Sequence, residues 1–340
     1  MLGRRINLET NTRVSSFVYF LSQKSDRSRF VKYLTLNSYN NEEQPLEGIF
    51  VRLLKLVFTA NMVELRGKFQ GPVFEEMVRI KESSALPFDQ LAVIPDPTTQ
   101  GANLQTYYAA ALAFQESLTE LVINPSFALA PYFNSFVDRL GGFKCLTWLI
   151  IDRQPINAAQ LHHILSKCHC LTTLSFNFIP DNEGHLPLNA SESAEWIKFT
   201  SVKNEAPLEY VDLNSDNPCP DLVEYLVAKY PKIQDIRGQT MLEHMHSLDD
   251  SHSLFRMIKP LKKAPICNIL FEFFSDLPNQ RIESKLQADE GHSITVAEKL
   301  ARGWKQVVLK DRHTFAKGEL TGFRTTKFTK RLFGPYDSPI

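Results

Sequence analysis

The sequence predicts an α/β repeat fold: a curved parallel sheet on the concave side of an arc, with helices along the convex side. Three observations lead there. One phrase, Leu-Thr-x-Leu-x-apolar-Asn/Asp, recurs at Leu118–Asn124, Leu146–Asp152 and Leu171–Asn177, with starts 28 and 25 residues apart. Within each phrase the apolar residues at positions 4 and 6 have the two-residue period of a strand with one buried face. After each phrase comes a candidate helix, at 130–140, 158–166 and 191–199. A strand of this kind cannot bury its apolar face alone, so successive units must stack.

The recurrence falls in the leucine-rich-repeat window of roughly 20–29 residues. Taken in order, residues 1–30 read as an N-terminal helical cap or partial repeat, with a short helix at 15–22. Val31–Asn37 is the first phrase, and 46–57 has helical apolar spacing. Met62–Gly67 is a weaker phrase, with Gly67 where an apolar residue is expected, and 74–80 is its helix. Leu91–Ile94 begins another strand, which Pro95 and Pro97 should end or bulge, because proline cannot donate to a ladder. The Tyr-Tyr-Ala-Ala-Ala centre of 104–114 predicts a helix. Leu208–Asn214 returns after 37 residues, the excess lying in 179–189 as a rim insertion, and 220–229 follows with Pro220 suited to a helix start. Ile233–Gly238 returns after 25. A helix near 251–257 and a strand at 266–271 close the irregular repeats, which span 31–275. Residues 276–340 form a C-terminal cap and basic tail.

Composition narrows the function classes. Hydrophobic content of 43% with 22% charged residues is that of an ordinary folded chain. The formal net charge is zero, so no global field draws the molecule to nucleic acid or anionic membrane. No apolar stretch approaches the length of a bilayer span. Five cysteines in no regular framework indicate reduced thiols, hence cytoplasm or nucleus. No phosphate-cradling Gly-x-x-x-x-Gly-Lys, nucleophile elbow or His-Glu-x-x-His is present, and the reading is a non-enzyme without cofactor or metal. The chain is expected to act as a monomer.

The phrases followed by helices, with endings such as Ser166-Lys167-Cys168-His169-Cys170-Leu171-Thr172-Thr173-Leu174, resemble the leucine-rich repeats of F-box proteins, the fungal members in particular. The resemblance spans roughly residues 15–275. It implies a protein substrate held on the concave face and a place in an SCF-type ubiquitin ligase, which F-box proteins join through the Skp1 adaptor and its cullin. An F-box helix itself is not found before Val31.

Strand alternation places positions 3, 5 and 7 of each phrase on the concave face. Its candidate protein-binding residues are Tyr33, Glu120, Trp148, Asp152, Asn177, Tyr210 and Asp212. Exposed rings beside carboxylates make an anchor-and-rim mixture, with Trp148 and Tyr210 as hot spots. The bland alternative is that both rings lie flat and only shield the sheet. The recurring Asn/Asp at position 7 is expected to bond the backbone at the strand exit, as Asx turns do. His162, His163, Cys168, His169 and Cys170 lack the paired spacing of a zinc site, and Cys168 reads as core. Glu243, His244, His246, Asp249, Asp250 and His252 read as a solvated segment. From Arg302 to Arg331 nine Lys/Arg face two acids. There Arg324, Lys327, Lys330 and Arg331 alternate with phenylalanines. This is either a cap sealing the last repeat or a basic arm, and the arm would make the chain a nucleic-acid-associated repeat protein.

Overall fold

The computed structural model describes residues 5–36, 47–98, 101–124, 131–152, 158–178, 207–216, 220–242, 245–250, 252–262, 266–286, 292–298 and 304–311. The helix expected at 191–199, Asn37, Glu243, His244 and the basic residues Arg324, Lys327, Lys330 and Arg331 lie outside them.

Strand and helix alternate along the chain. β1 (Arg5–Leu8) leads into α1 (Asn11–Ser22), β2 (Tyr33–Leu36) into α2 (Glu47–Val57), and β3 (Glu64–Arg66) with β4 (Lys68–Phe69) into α3 (Gly71–Ser83). β5 (Asp96–Pro97) precedes α4 (Gly101–Ala113), β6 (Glu120–Ile123) precedes α5 (Pro131–Asp138), and β7 (Trp148–Asp152) precedes α6 (Ala158–Lys167). β8 (Thr173–Phe178) and β9 (Tyr210–Asp216) follow, then α7 (Pro220–Lys229), β10 (Asp235–Met241), α8 (Ser253–Leu261), β11 (Ile266–Phe274) and α9 (Asn279–Leu286). A final pair, β12 (His292–Glu298) and β13 (Trp304–Asp311), completes the described chain.

β1, β2 and β3 pair in parallel, and β6 to β11 pair in parallel in sequence order. Between these two runs stand the bridge from Glu64 to Val93 and the short parallel pair of β4 and β5. Ala92 donates to Val63 O at 2.8 Å, and its own carbonyl accepts from Thr119 N at 2.9 Å, so the backbone ladder crosses the gap. The register is regular: Glu120, Trp148, Thr173, Tyr210 and Asp235 form one row, each two residues from the next row on its strand.

The apolar residues at positions 4 and 6 face the core. Leu121, Ile123, Leu149, Ile151, Leu174, Phe176, Val211 and Leu213 are all buried and join the inward faces of the helices in one continuous cluster. Burying a leucine or isoleucine completely stabilises by about 1.5–3 kcal/mol, so this recurring pair supplies the driving force for stacking.

Three features depart from the sequence reading. A strand, β1, precedes the helix at 11–22, so the first unit carries its own strand. The chain also keeps pairing beyond Pro95. Asp96 N donates to Gly67 O at 2.9 Å and Thr98 N to Phe69 O at 2.8 Å. Backbone donors of a parallel strand point alternately to its two neighbours, so the missing proline N–H groups fall on the other side. Finally, β11 is not the last strand. β13 pairs antiparallel with it, and β12 pairs antiparallel with β13 at the sheet margin.

Glycine has a specific task twice, at position 6 of a phrase. Gly67 (φ +148°) and Gly238 (φ +152°) adopt backbone conformations that L side chains avoid. In both cases the carbonyl of the preceding strand's position-6 residue closes in: a Cβ would stand 2.8 Å from Leu36 O at Gly67 and 2.0 Å from Leu213 O at Gly238.

Candidate functional site

The face of the sheet opposite the leucines carries the sequence-predicted site residues, and the structure sorts them into three environments. At the first strands, Tyr33 is half-buried with the Arg5 guanidinium 4.8 Å from its ring centre. Arg5 in turn approaches Glu64 at 3.9 Å. Arg5, Tyr33 and Glu64 occupy the same row on three successive strands.

Glu120 is not an accessible contact residue. It is buried and holds Arg66 in a two-pronged bond, Nη1 to Oε1 at 2.9 Å and Nη2 to Oε2 at 2.7 Å. Glu64 accepts the remaining Nε–H of Arg66. Burial alone would lower the pKa of Arg66, but bonding to Glu120 and Glu64 outweighs it and raises it. This planar match of guanidinium to carboxylates spans the Val93 bridge and ties the two runs of the sheet together. Asp96 lies beside this cluster. Burial, reinforced by Glu120, pushes its carboxyl up to about 7, with Lys68 and Arg66 pulling the other way.

The same interruption exposes backbone donors of β6 that no strand meets. Two adjacent tyrosines of α4 supply the acceptors: Val122 N donates to the Tyr107 hydroxyl at 3.0 Å and Asn124 N to the Tyr108 hydroxyl at 3.2 Å. Burial raises both phenol pKa values, so they stay neutral.

From β7 to β10 the face opens. Val122, Ile150 and Ser175 are buried, so the middle row is covered at β6 to β8 and becomes charged only at Asp212 and Arg237. Trp148 is half-buried. Its Nε1 donates to Ser175 Oγ at 3.0 Å, which holds the indole over β8. It therefore shields the sheet and still presents part of its ring. Tyr210, two strands away in the same row, is 45% exposed. Asp152, Asn177 and Asn214 line the third row in register and are half-buried.

Asp212 is half-buried next to Tyr210. Burial pushes its carboxyl up to about 6 against the Asn214 amide, which donates to it at 2.8 Å. Arg237 stands in register with Asp212, yet its guanidinium pairs with Asp235 along its own strand. Asn214 also accepts from Gln239 N at 3.2 Å, so this position-7 side chain bonds the neighbouring strand beside the Gly238 kink. This replaces the local turn that the phrase predicts. Farther on, Glu272 accepts from Gln239 at 3.2 Å and from Gln306 at 2.7 Å, which extends a polar seam into the terminal hairpin.

The histidine and cysteine clusters lie elsewhere. Cys168 is in the core, with burial pushing its thiol up to about 12. His162 belongs to the helix layer. The buried Lys229 ammonium stands 2.8 Å from its Nδ1, and the Tyr225 hydroxyl is 3.1 Å from the same nitrogen. His163 bonds Asp138 at 3.0 Å. His252 caps α8 by accepting from Leu254 N at 3.2 Å, while His246, Asp249 and Asp250 are exposed. Among the described residues no three His, Cys, Asp or Glu side chains stand as a metal-binding group, and no described helix is long and apolar enough to cross a membrane.

No protein-family model matches the chain. No curated protein matches it either. Among solved structures, the leucine-rich repeat-containing protein LegL7 from Legionella pneumophila is similar over 69% of this chain and 73% of its own, with 16% identity and a TM-score of 0.39, an overlap too loose to speak to function.

Proposed function

We propose that the chain is a non-catalytic, protein-binding repeat scaffold, a leucine-rich-repeat solenoid whose open sheet face, on the concave side, holds a protein partner. One observation carries this reading: the register gathers the half-buried Trp148, the exposed Tyr210 and the acidic Asp152 and Asp212 on one contiguous face. Large rings set among polar side chains are the composition of binding hot spots. The test places a photo-crosslinking residue at Tyr210, with the exposed Tyr132 of α5 as the helix-side comparison. Partner capture is expected at 210, lost when Trp148→Ala is added, and absent at 132. Capture at 132 alone would refute the reading.

The F-box resemblance adds a finer proposal: the bound partner is a ubiquitination substrate, in cytoplasm or nucleus. Co-purification of Skp1 and cullin with the tagged chain is its test. Recovery of neither removes the ligase role and leaves the scaffold standing.

A further inference from the structure

Resting on that reading, we infer that the partner segment lays an arginine side chain against the exposed Tyr210 ring, beside Trp148, with Asp212 as its carboxylate. The register sets the spacing of the two rings. Trp148 and Tyr210 flank the small Thr173 in one row, two strand spacings or roughly 9–10 Å apart at the backbone. The indole is fastened toward Ser175, while Tyr210 is exposed.

The charge pattern selects the sign. Across β7 to β10 this face carries Asp152, Asp212 and Asp235 against Arg237. Arg237 is the cation placed opposite Asp212 and its charge acts on that carboxylate, but its guanidinium is bonded to Asp235, and Asp212 receives a neutral amide from Asn214. A carboxylate in this setting gains from an incoming cation more than from any neutral group. A guanidinium also stacks on aromatic faces, which an ammonium does less well.

A related contact occurs within the molecule, with the carboxylate on the next strand of the row and not on the tyrosine's own strand. In the same row, at the first strands, Arg5 lies 4.8 Å over the Tyr33 ring and reaches Glu64 at 3.9 Å. At Tyr210 the ring and the carboxylate are present, and the cation comes from the partner.

The test is fluorescence anisotropy of the full chain with three labelled extended peptides of one sequence, carrying arginine, citrulline or glutamate at alternate positions. The arginine peptide is expected to bind at least tenfold more tightly than either of the others. Asp212→Asn and Tyr210→Ala should each weaken it at least fivefold, and Tyr132→Ala should leave it unchanged, with melting curves confirming that all three fold. Equal binding of the citrulline peptide, indifference to Asp212→Asn, or no binding of the arginine peptide overturns the inference. Tyr210-dependent binding of the glutamate peptide would overturn the choice of arginine while sparing the sheet face as the contact surface. Crosslinking on the helix side alone would remove that surface itself.

Discussion

The Arg66 cluster shows how much depends on single side chains. Breaking a buried ion pair leaves one charge without its partner, which costs about 2–4 kcal/mol for a pair that retains some solvent contact. Arg66→Met and Glu120→Gln should each lower stability by that amount in urea melts, and the double variant should lose less than the two losses added together. Asp96 acts in the opposite direction. Its folded-state pKa of about 7 lies above the ordinary carboxylate value, so the folded chain holds the proton more tightly. Stability from this group is highest at acid pH and falls as pH rises from about 4 to about 7. Asp96→Asn should therefore raise the melting temperature increasingly across that window and by a constant amount above it, corresponding to about 1–2 kcal/mol after allowing for partial exposure. A variant equally stable with wild type at pH 8 would contradict this. Neither effect was readable from the sequence. Glu120 looks like a surface position by alternation, and the residue that buries it lies 54 positions earlier.

At the scale of elements, most strands and helices were legible, because each rests on a local signal. Large apolar residues two apart mark β2 and β6 to β9, and apolar residues three and four apart mark α2 to α6. β1 was missed because Arg5-Ile6-Asn7-Leu8 offers two apolar residues and no repeat phrase. The pairing of Asp96–Pro97 was missed because proline's effect depends on which neighbour its nitrogen faces, and that requires the sheet. Gly67 and Gly238 stood out only as gaps in the phrase, whereas the structure shows a carbonyl filling each one. Gly238→Ala should cost about 2–4 kcal/mol, since it adds a backbone clash to an unfavourable φ. Gly48→Ala in α2, where a Cβ would meet nothing within 4 Å, should instead stabilise by a few tenths to about 1 kcal/mol. Thermal melts of the two variants moving in the same direction would contradict this account.

For the molecule as a whole, the terminal hairpin and the Val93 bridge set the boundaries of cooperativity. β13 covers the edge of β11, a strand whose Ile269, Phe271 and Phe273 are buried. Deleting residues 287–340 would bare that edge, and an exposed apolar strand pairs with other chains. The shortened protein should form large soluble oligomers by light scattering, where the full chain remains small. Val93 has a different consequence. Elsewhere the parallel strands pair along their length, but here the pairing is broken into the Val93 bridge and the two-residue β4–β5 ladder, and Val122 N and Asn124 N turn to tyrosines. Rings fill the space beneath it: Phe88 meets Phe58 at 5.0 Å and Phe114 at 5.6 Å, and Phe74 meets Tyr107 at 5.3 Å. Adhesion between oily surfaces fades as water cools, whereas hydrogen-bonded ladders are far less affected. This joint should thus be the part of the protein most sensitive to cold. Protection of the Ala92, Thr119 and Glu120 amides against exchange, set against that of β7 and β8, should fall between 25 °C and 4 °C, so that a refrigerated sample loosens in the middle while both flanks hold.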